Sequence, residues 1–74
     1  MNEETFKVRA YGFGELAQLY FPNITKKSAS CQLRKWIFAN RKMTFNLIKI
    51  GYKTNTRLLS PAQVKVIILE LGEP

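Results

Sequence analysis

The side chains of this chain that can do chemistry are almost all cations. Of its 74 residues, 12 are lysine or arginine, and ten of these fall between Glu15 and Glu70, an interval without one acidic side chain. Cations so placed bind anions: lysine as a point charge, arginine as a planar fork that matches phosphate or carboxylate. The self-repulsion of such a segment is repaid by a polyanion, so the charge balance points to nucleic acid or another acidic surface. Catalysis has no comparable material. With no histidine, no aspartate and Cys31 as the one cysteine, the chain's own side chains cannot assemble a Ser-His-Asp triad, a Cys-His pair or a four-ligand zinc site. Glu3, Glu4 and Glu73 sit near the ends, which leaves Glu15 and Glu70 as candidate acid or base. The expectation is a protein that is not an enzyme and carries no metal or cofactor.

A long helix over 25–40 must position most of these cations. Thr25 is its N-cap, and Ala29, Leu33, Trp36 and Ile37 recur at helical spacing as its inward stripe. On the far side Lys27, Arg34 and Arg41 repeat every seven residues and form a basic ridge, flanked by Lys35 and Lys42. Cys31 and Phe38 project to that side as well, Cys31 reading as a small hydrophobe and Phe38 as a surface contact or the seat of a second element. If the ridge is a recognition helix, Lys26, Lys27 and Ser30 lie nearest the bases, with Arg34, Arg41 and Lys42 on phosphates and Lys35 a further candidate contact. The plainer reading is a solvated helix face, but such faces normally mix both signs of charge. Lys53, Thr54, Asn55 and Arg57 form a polar connection with turn chemistry, either a simple surface turn or a wing that touches backbone or minor groove.

The remaining elements follow from local pattern. Residues 5–11 alternate, with Phe6, Val8 and Ala10 on one face, as in a short half-buried strand or arm. Gly12 and Gly14 punctuate the chain before a short helix over 15–20, with Glu15 in its positive first turn and Pro22 closing it. A helix over 43–50 is stopped by Gly51, with Tyr52 folding back. Ser60, Pro61 and Gln63 spell an N-cap, an N1 proline and a capping box, so the last helix starts at Pro61 and runs to Gly72. Its apolar residues cover so much of the circumference that it belongs in the core or in a dimer seam. Tyr11, Tyr20, Tyr52 and Phe38 interleave with cations as stacking platforms on single strands would, yet a domain this small needs at least three of them, and Trp36, in its core.

With 46% apolar residues the chain is too hydrophobic for a disordered basic tail, and its length holds one core. Residues 1–74 therefore read as a single, mainly α domain of about four helices with a short N-terminal strand or arm. Met1, Asn2, Glu3 and Glu4 lack the pattern of a signal peptide, no apolar run nears the roughly 18 residues of a membrane span, and one cysteine suits a reducing compartment, so the expected location is the cytoplasm.

Two resemblances rest on these residues. The layout Gly14-Glu15-Leu16-Ala17, the helix over 25–37, Gly51-Tyr52 and the Ser60-Pro61 start resembles the small winged helix-turn-helix domains of the MerR and excisionase type. In those, the second helix enters the major groove and the wing touches backbone. More specifically, nearly the whole chain resembles a family of short bacterial proteins catalogued only as a domain of unknown function. The shared residues are Arg9-Ala10-Tyr11-Gly12, Glu15-Leu16-Ala17 with Tyr20 and Pro22, Trp36-Ile37, Gly51-Tyr52, Ser60-Pro61 with Gln63-Val64, and Leu71-Gly72-Glu73-Pro74. Phe38 departs from that family, whose members usually carry a charged or polar residue there.

Together these readings lead to the expectation of a double-stranded-DNA-binding protein, either a transcriptional regulator or a mobile-element accessory factor, pairing as a homodimer through its last helix. The alternative is a non-enzymatic interaction module whose cationic face docks an acidic protein.

Overall fold

The computed structural model describes residues 6–74; the head of the expected strand at Thr5 and the first four residues lie outside the described residues. The elements run β1 (Tyr11–Gly12), α1 (Phe13–Tyr20), α2 (Lys26–Ala39), α3 (Arg41–Lys49), β2 (Leu58–Leu59) and α4 (Pro61–Leu71). The two strands pair antiparallel, Tyr11 opposite Leu59 and Gly12 opposite Leu58, and the Phe13 N–H extends the pairing by donating to the Arg57 carbonyl at 2.7 Å. This short ladder ties the start of α1 to the segment that leads into α4. Its strand is far shorter than the expected 5–11. Val8 and Ala10 are exposed, so no sheet face receives the alternation, and only Phe6 turns back to stack on Tyr11 at 5.3 Å between centroids.

Helix α1 begins two residues before the expected Glu15. The Glu15 carboxylate accepts the Gly12 N–H at 3.1 Å, which makes Gly12 the N-cap and brings Phe13 and Gly14 into the first turn. Helix α2 matches its expected start, with Thr25 Oγ1 accepting the Ser28 N–H at 3.1 Å. Ala29, Leu33 and Ile37 are buried, but Trp36 is 43% exposed and stands edge-on to Phe21, 4.7 Å between centroids. The reason is angular. At about 100° per residue, Trp36 falls some 60° from the axis that the other three define, on the margin of the stripe rather than in it.

Asn40 then breaks the helix, with φ −102° and ψ 99°. Its side chain accepts the Met43 N–H at 2.9 Å, so one residue closes α2 and caps α3, and Arg41 opens the new helix where Met43 was expected to. Helix α3 ends in a Schellman motif: Tyr52 N–H donates to the Leu47 carbonyl at 3.0 Å and Gly51 N–H to that of Ile48 at 3.1 Å. Gly51 has φ 96°, and the nearest atom to a Cβ there is Gln63 Nε2 at 3.7 Å, so backbone conformation rather than space demands glycine. Gly51→Ala is therefore expected to cost about 1–2 kcal/mol in urea unfolding without altering the helix content of the folded state.

Helix α4 starts as expected. Ser60 Oγ accepts the Gln63 N–H at 3.3 Å, and Gln63 Oε1 accepts the Ser60 N–H at 3.0 Å. The same buried Gln63 donates through Nε2 to the Ile50 carbonyl at 3.0 Å, clamping the end of α3 to the start of α4. One core collects Leu16, Leu33, Ile37, Met43, Leu47, Leu59, Val64 and Ile67, so every helix and β2 contribute to it. Val66, Ile68 and Leu71 pack around its edge, and of the last helix's large apolar side chains only Leu69 is left mostly exposed, at 73%. Among the described residues no helix is long and apolar enough to cross a membrane.

The Tyr20 hydroxyl donates to the Gly72 carbonyl and so pins the end of α4 beside the end of α1. Burial, with Glu73 adding to it, pushes the Tyr20 hydroxyl up to about 12. Burial also raises Tyr52, partly offset by Arg34. Both groups stay protonated in the folded state where the unfolded chain would ionise. Their contribution is thus fully present below the ordinary tyrosine range near pH 10 and is lost as pH rises through each raised value, about 12 for Tyr20. Tyrosinate absorbance should show a late step near pH 12 that Tyr20→Phe removes.

Candidate nucleic-acid interface

Half of the eight expected cations converge, on a cleft rather than a ridge. The cleft has a volume of about 1150 Å³ and lies between the first turn of α1, the stretch of α2 from Lys26 to Arg34 and the turn residues 54–57. Lys26, Lys27, Ser30 and Arg34 line it from α2, and Asn55 and Arg57 from the turn. Two contacts hold these elements at this distance. The Phe13 N–H to Arg57 carbonyl bond fixes the turn against α1, and Gly14 lets α2 approach. A Cβ at Gly14 would stand 2.9 Å from Lys26 Cγ and 3.2 Å from Ser30 Oγ, so this glycine sets the positions of two expected contact residues.

Its electrostatics are one-sided. Helix α2 has two lysines and no acid in its first turn, against the preference of the helix macrodipole for negative charge there. A phosphate seated on that turn would meet both the free N–H groups and the lysines, which offsets the unfavourable arrangement. Among the described residues the one acid lining the cleft, Glu15, is paired with Arg9 at 3.0 Å. The hydrogen bond from Arg9, followed by that from the Gly12 N–H, lowers the Glu15 carboxyl below its usual range, so it remains an anion spent on Arg9. Arg34 stands over the Phe13 ring, 5.1 Å from its centroid, which orients the guanidinium at the cleft's inner wall.

The turn itself is closed twice. Thr56 N–H donates to the Lys53 carbonyl at 3.0 Å, and Lys53 N–H to Thr56 Oγ1 at 2.8 Å, leaving Thr54 and Asn55 at the tip. It is not a two-stranded wing: the chain leaves it into β2, whose partner is β1 and not a strand on the turn's other side. A two-residue strand paired with the N-terminal segment takes the place of the expected wing.

The sevenfold ridge Lys27, Arg34, Arg41 is also corrected. Asn40 ends α2 before Arg41, so Arg41 and Lys42 belong to the first turn of α3 and line neither the cleft nor the depression beside it. Lys35 and Lys53 do not line the cleft either. They border the adjoining depression between α2 and α3, together with Arg34. Of the ten expected contact residues, six meet in the cleft, two sit on its neighbour and two stand apart. Sequence reasoning missed Phe13 and Gly14 as supports, and the doublet Gly12, Gly14 ahead of a basic helix was the available signal. Tyr11 and Tyr52 are buried and Tyr20 is half-buried, whereas Phe38 is 74% exposed. Among the described residues no cluster of three or more His, Cys, Asp or Glu side chains could hold a metal ion.

A family model described as a domain of unknown function, DUF4248, matches residues 7–74. No curated protein and no solved structure matches the chain.

Proposed function

We propose that this chain, which belongs to the DUF4248 family, binds double-stranded DNA with the first turns of α2 and the 53–57 turn set against one stretch of phosphate backbone. The observation that carries this reading is the convergence of Lys26, Lys27, Arg34 and Arg57 from separate elements on one cleft whose only acid among the described residues is spent on Arg9. Lys26 and Lys27, on the first turn of α2, hold phosphates in this reading together with Arg34, Arg57, Lys35 and Lys53, and Ser30 stands nearest the base edges. Arg41 and Lys42 contribute only to the long-range field. A role in transcriptional control or in a mobile element, inside the cytoplasm, suits a small non-enzymatic basic domain of this kind. Dimerisation through α4 would now rest on Leu69, since the other apolar residues of that helix are committed to the core.

The test is fluorescence anisotropy of a labelled random duplex at roughly 50 and 200 mM salt. Neutralising about six phosphates gives a log-log slope near −5, so affinity should fall by about three orders of magnitude over that range. No binding at the lower salt would overturn the reading and assign the cleft to an acidic protein partner.

A further inference from the structure

Beside the cationic cleft lies a second depression, of about 990 Å³, between α2, α3 and the 53–55 stretch. Its floor is apolar: Ile37, Phe38, Ile48 and Tyr52 line it, with Phe38 74% and Ile48 58% exposed. Among the described residues its charged lining is wholly cationic, consisting of Arg34, Lys35 and Lys53. Single exposed apolar side chains need no explanation, but two large ones gathered in one trough under three cations do. We propose that this trough binds a small anionic amphiphile, an aliphatic or aromatic body with a carboxylate or sulfonate head, and that the head takes Arg34 away from the DNA cleft.

Size favours a small molecule over a protein. The volume falls in the range of roughly 300–1000 Å³ usual for small-ligand sites. Twelve of the described residues line the trough, whereas a stable protein interface takes about 20–30 a side. Charge decides the head group, because a neutral ligand would leave three cations crowded without a counter-charge and a cationic one would add to them. The link to DNA comes from the wall between the two depressions. Arg34, Thr54 and Asn55 line both. Arg34 stands over Phe13 on the DNA side, and its charge also acts on the Tyr52 hydroxyl, which belongs to the trough. One guanidinium cannot serve a carboxylate in the trough and a phosphate in the cleft at full strength, so the two ligands compete. This competition rests on the DNA reading; the trough itself does not.

The experiment is a methyl and aromatic NMR titration of the full chain with decanoate, and in parallel with decanol. Decanoate should shift Ile48 and Phe38 first, and decanol should bind at least about tenfold more weakly for want of the charge-assisted contacts. Phe38→Ser with Ile48→Ser removes exposed side chains only and should weaken decanoate by about tenfold or more. Shifts centred on Leu58 and Leu69 instead, or an unchanged titration in the double variant, overturn the site. Tighter binding of a Glu/Leu amphipathic helical peptide on the same resonances overturns the small-molecule assignment in favour of a protein. For the competition, decanoate should lower duplex affinity several-fold in the natural chain and not in the double variant. Joint binding with no mutual effect overturns the sharing of Arg34. Decanoate binding without any duplex binding overturns the DNA reading and upholds the trough.

Discussion

Reversing three charges at once, Lys26→Glu, Lys27→Glu and Arg34→Glu, is expected to lower duplex affinity by at least about a hundredfold near physiological salt and to flatten the salt slope by close to 3. Each lost phosphate contact removes about 0.9 from the slope, and each new carboxylate adds repulsion at the surface where the backbone would lie. All three side chains are exposed, so the fold should survive. The loss of Arg34 from above the Phe13 ring costs no more than about 1 kcal/mol. A second variant makes the result specific to the cleft. Arg41→Glu with Lys42→Glu changes net charge by four units, against six for the triple variant, but alters the first turn of α3, outside the cleft. It should weaken binding by less than about tenfold and, by placing acids in the first turn of a helix, leave stability the same or slightly higher. If the double variant loses as much as the triple, binding follows the overall field and the cleft has no special part. If neither loses anything, DNA is not the ligand.

That comparison also separates what sequence spacing conveys from what the fold decides. Thr25, Gly51 and Ser60 with Gln63 were legible because each acts through hydrogen bonds to residues at most a few positions away. The ridge through Arg41 was not. A sevenfold repeat assumes an unbroken helix, and Asn40 is a residue a helix can tolerate; only its bond to the Met43 N–H shows that it starts a new one. The cleft itself depends on the pairing of Tyr11 with Leu59 and on the Phe13 to Arg57 bond, which join segments far apart in the chain. No local pattern in 53–57 distinguishes a turn held against α1 from the tip of a hairpin. The cations were readable as a set, and their partition between a cleft, a trough and a separate helix start was not.

Leu33 and Trp36 turn the same distinction into an energetic result. By size alone Trp36→Ala should be the more damaging, since truncating a fully buried Trp typically costs about 3–5 kcal/mol. Trp36 is 43% exposed and touches the chain through an edge contact with Phe21, so much of its surface is already in water and its removal leaves a notch rather than a cavity. An aromatic pair of that kind adds about 0.5–1.5 kcal/mol to the area it buries, and the expected cost is about 1–2 kcal/mol. Leu33 is 0% exposed and lies in the core between Ala29 and Ile37 on α2. Leu33→Ala should cost about 3–4 kcal/mol, the lost transfer energy plus a cavity that close-packed neighbours cannot fill. For a domain of this length, total stability is on the order of 4–11 kcal/mol, so the smaller residue carries a large fraction of it. Urea unfolding followed by circular dichroism should place the midpoint of Leu33→Ala well below that of Trp36→Ala. The reverse order would mean that Trp36 is buried in solution, by a shift of the 21–25 connection or by a second molecule covering the Phe21 edge, and that the margin of α2 belongs to an interface.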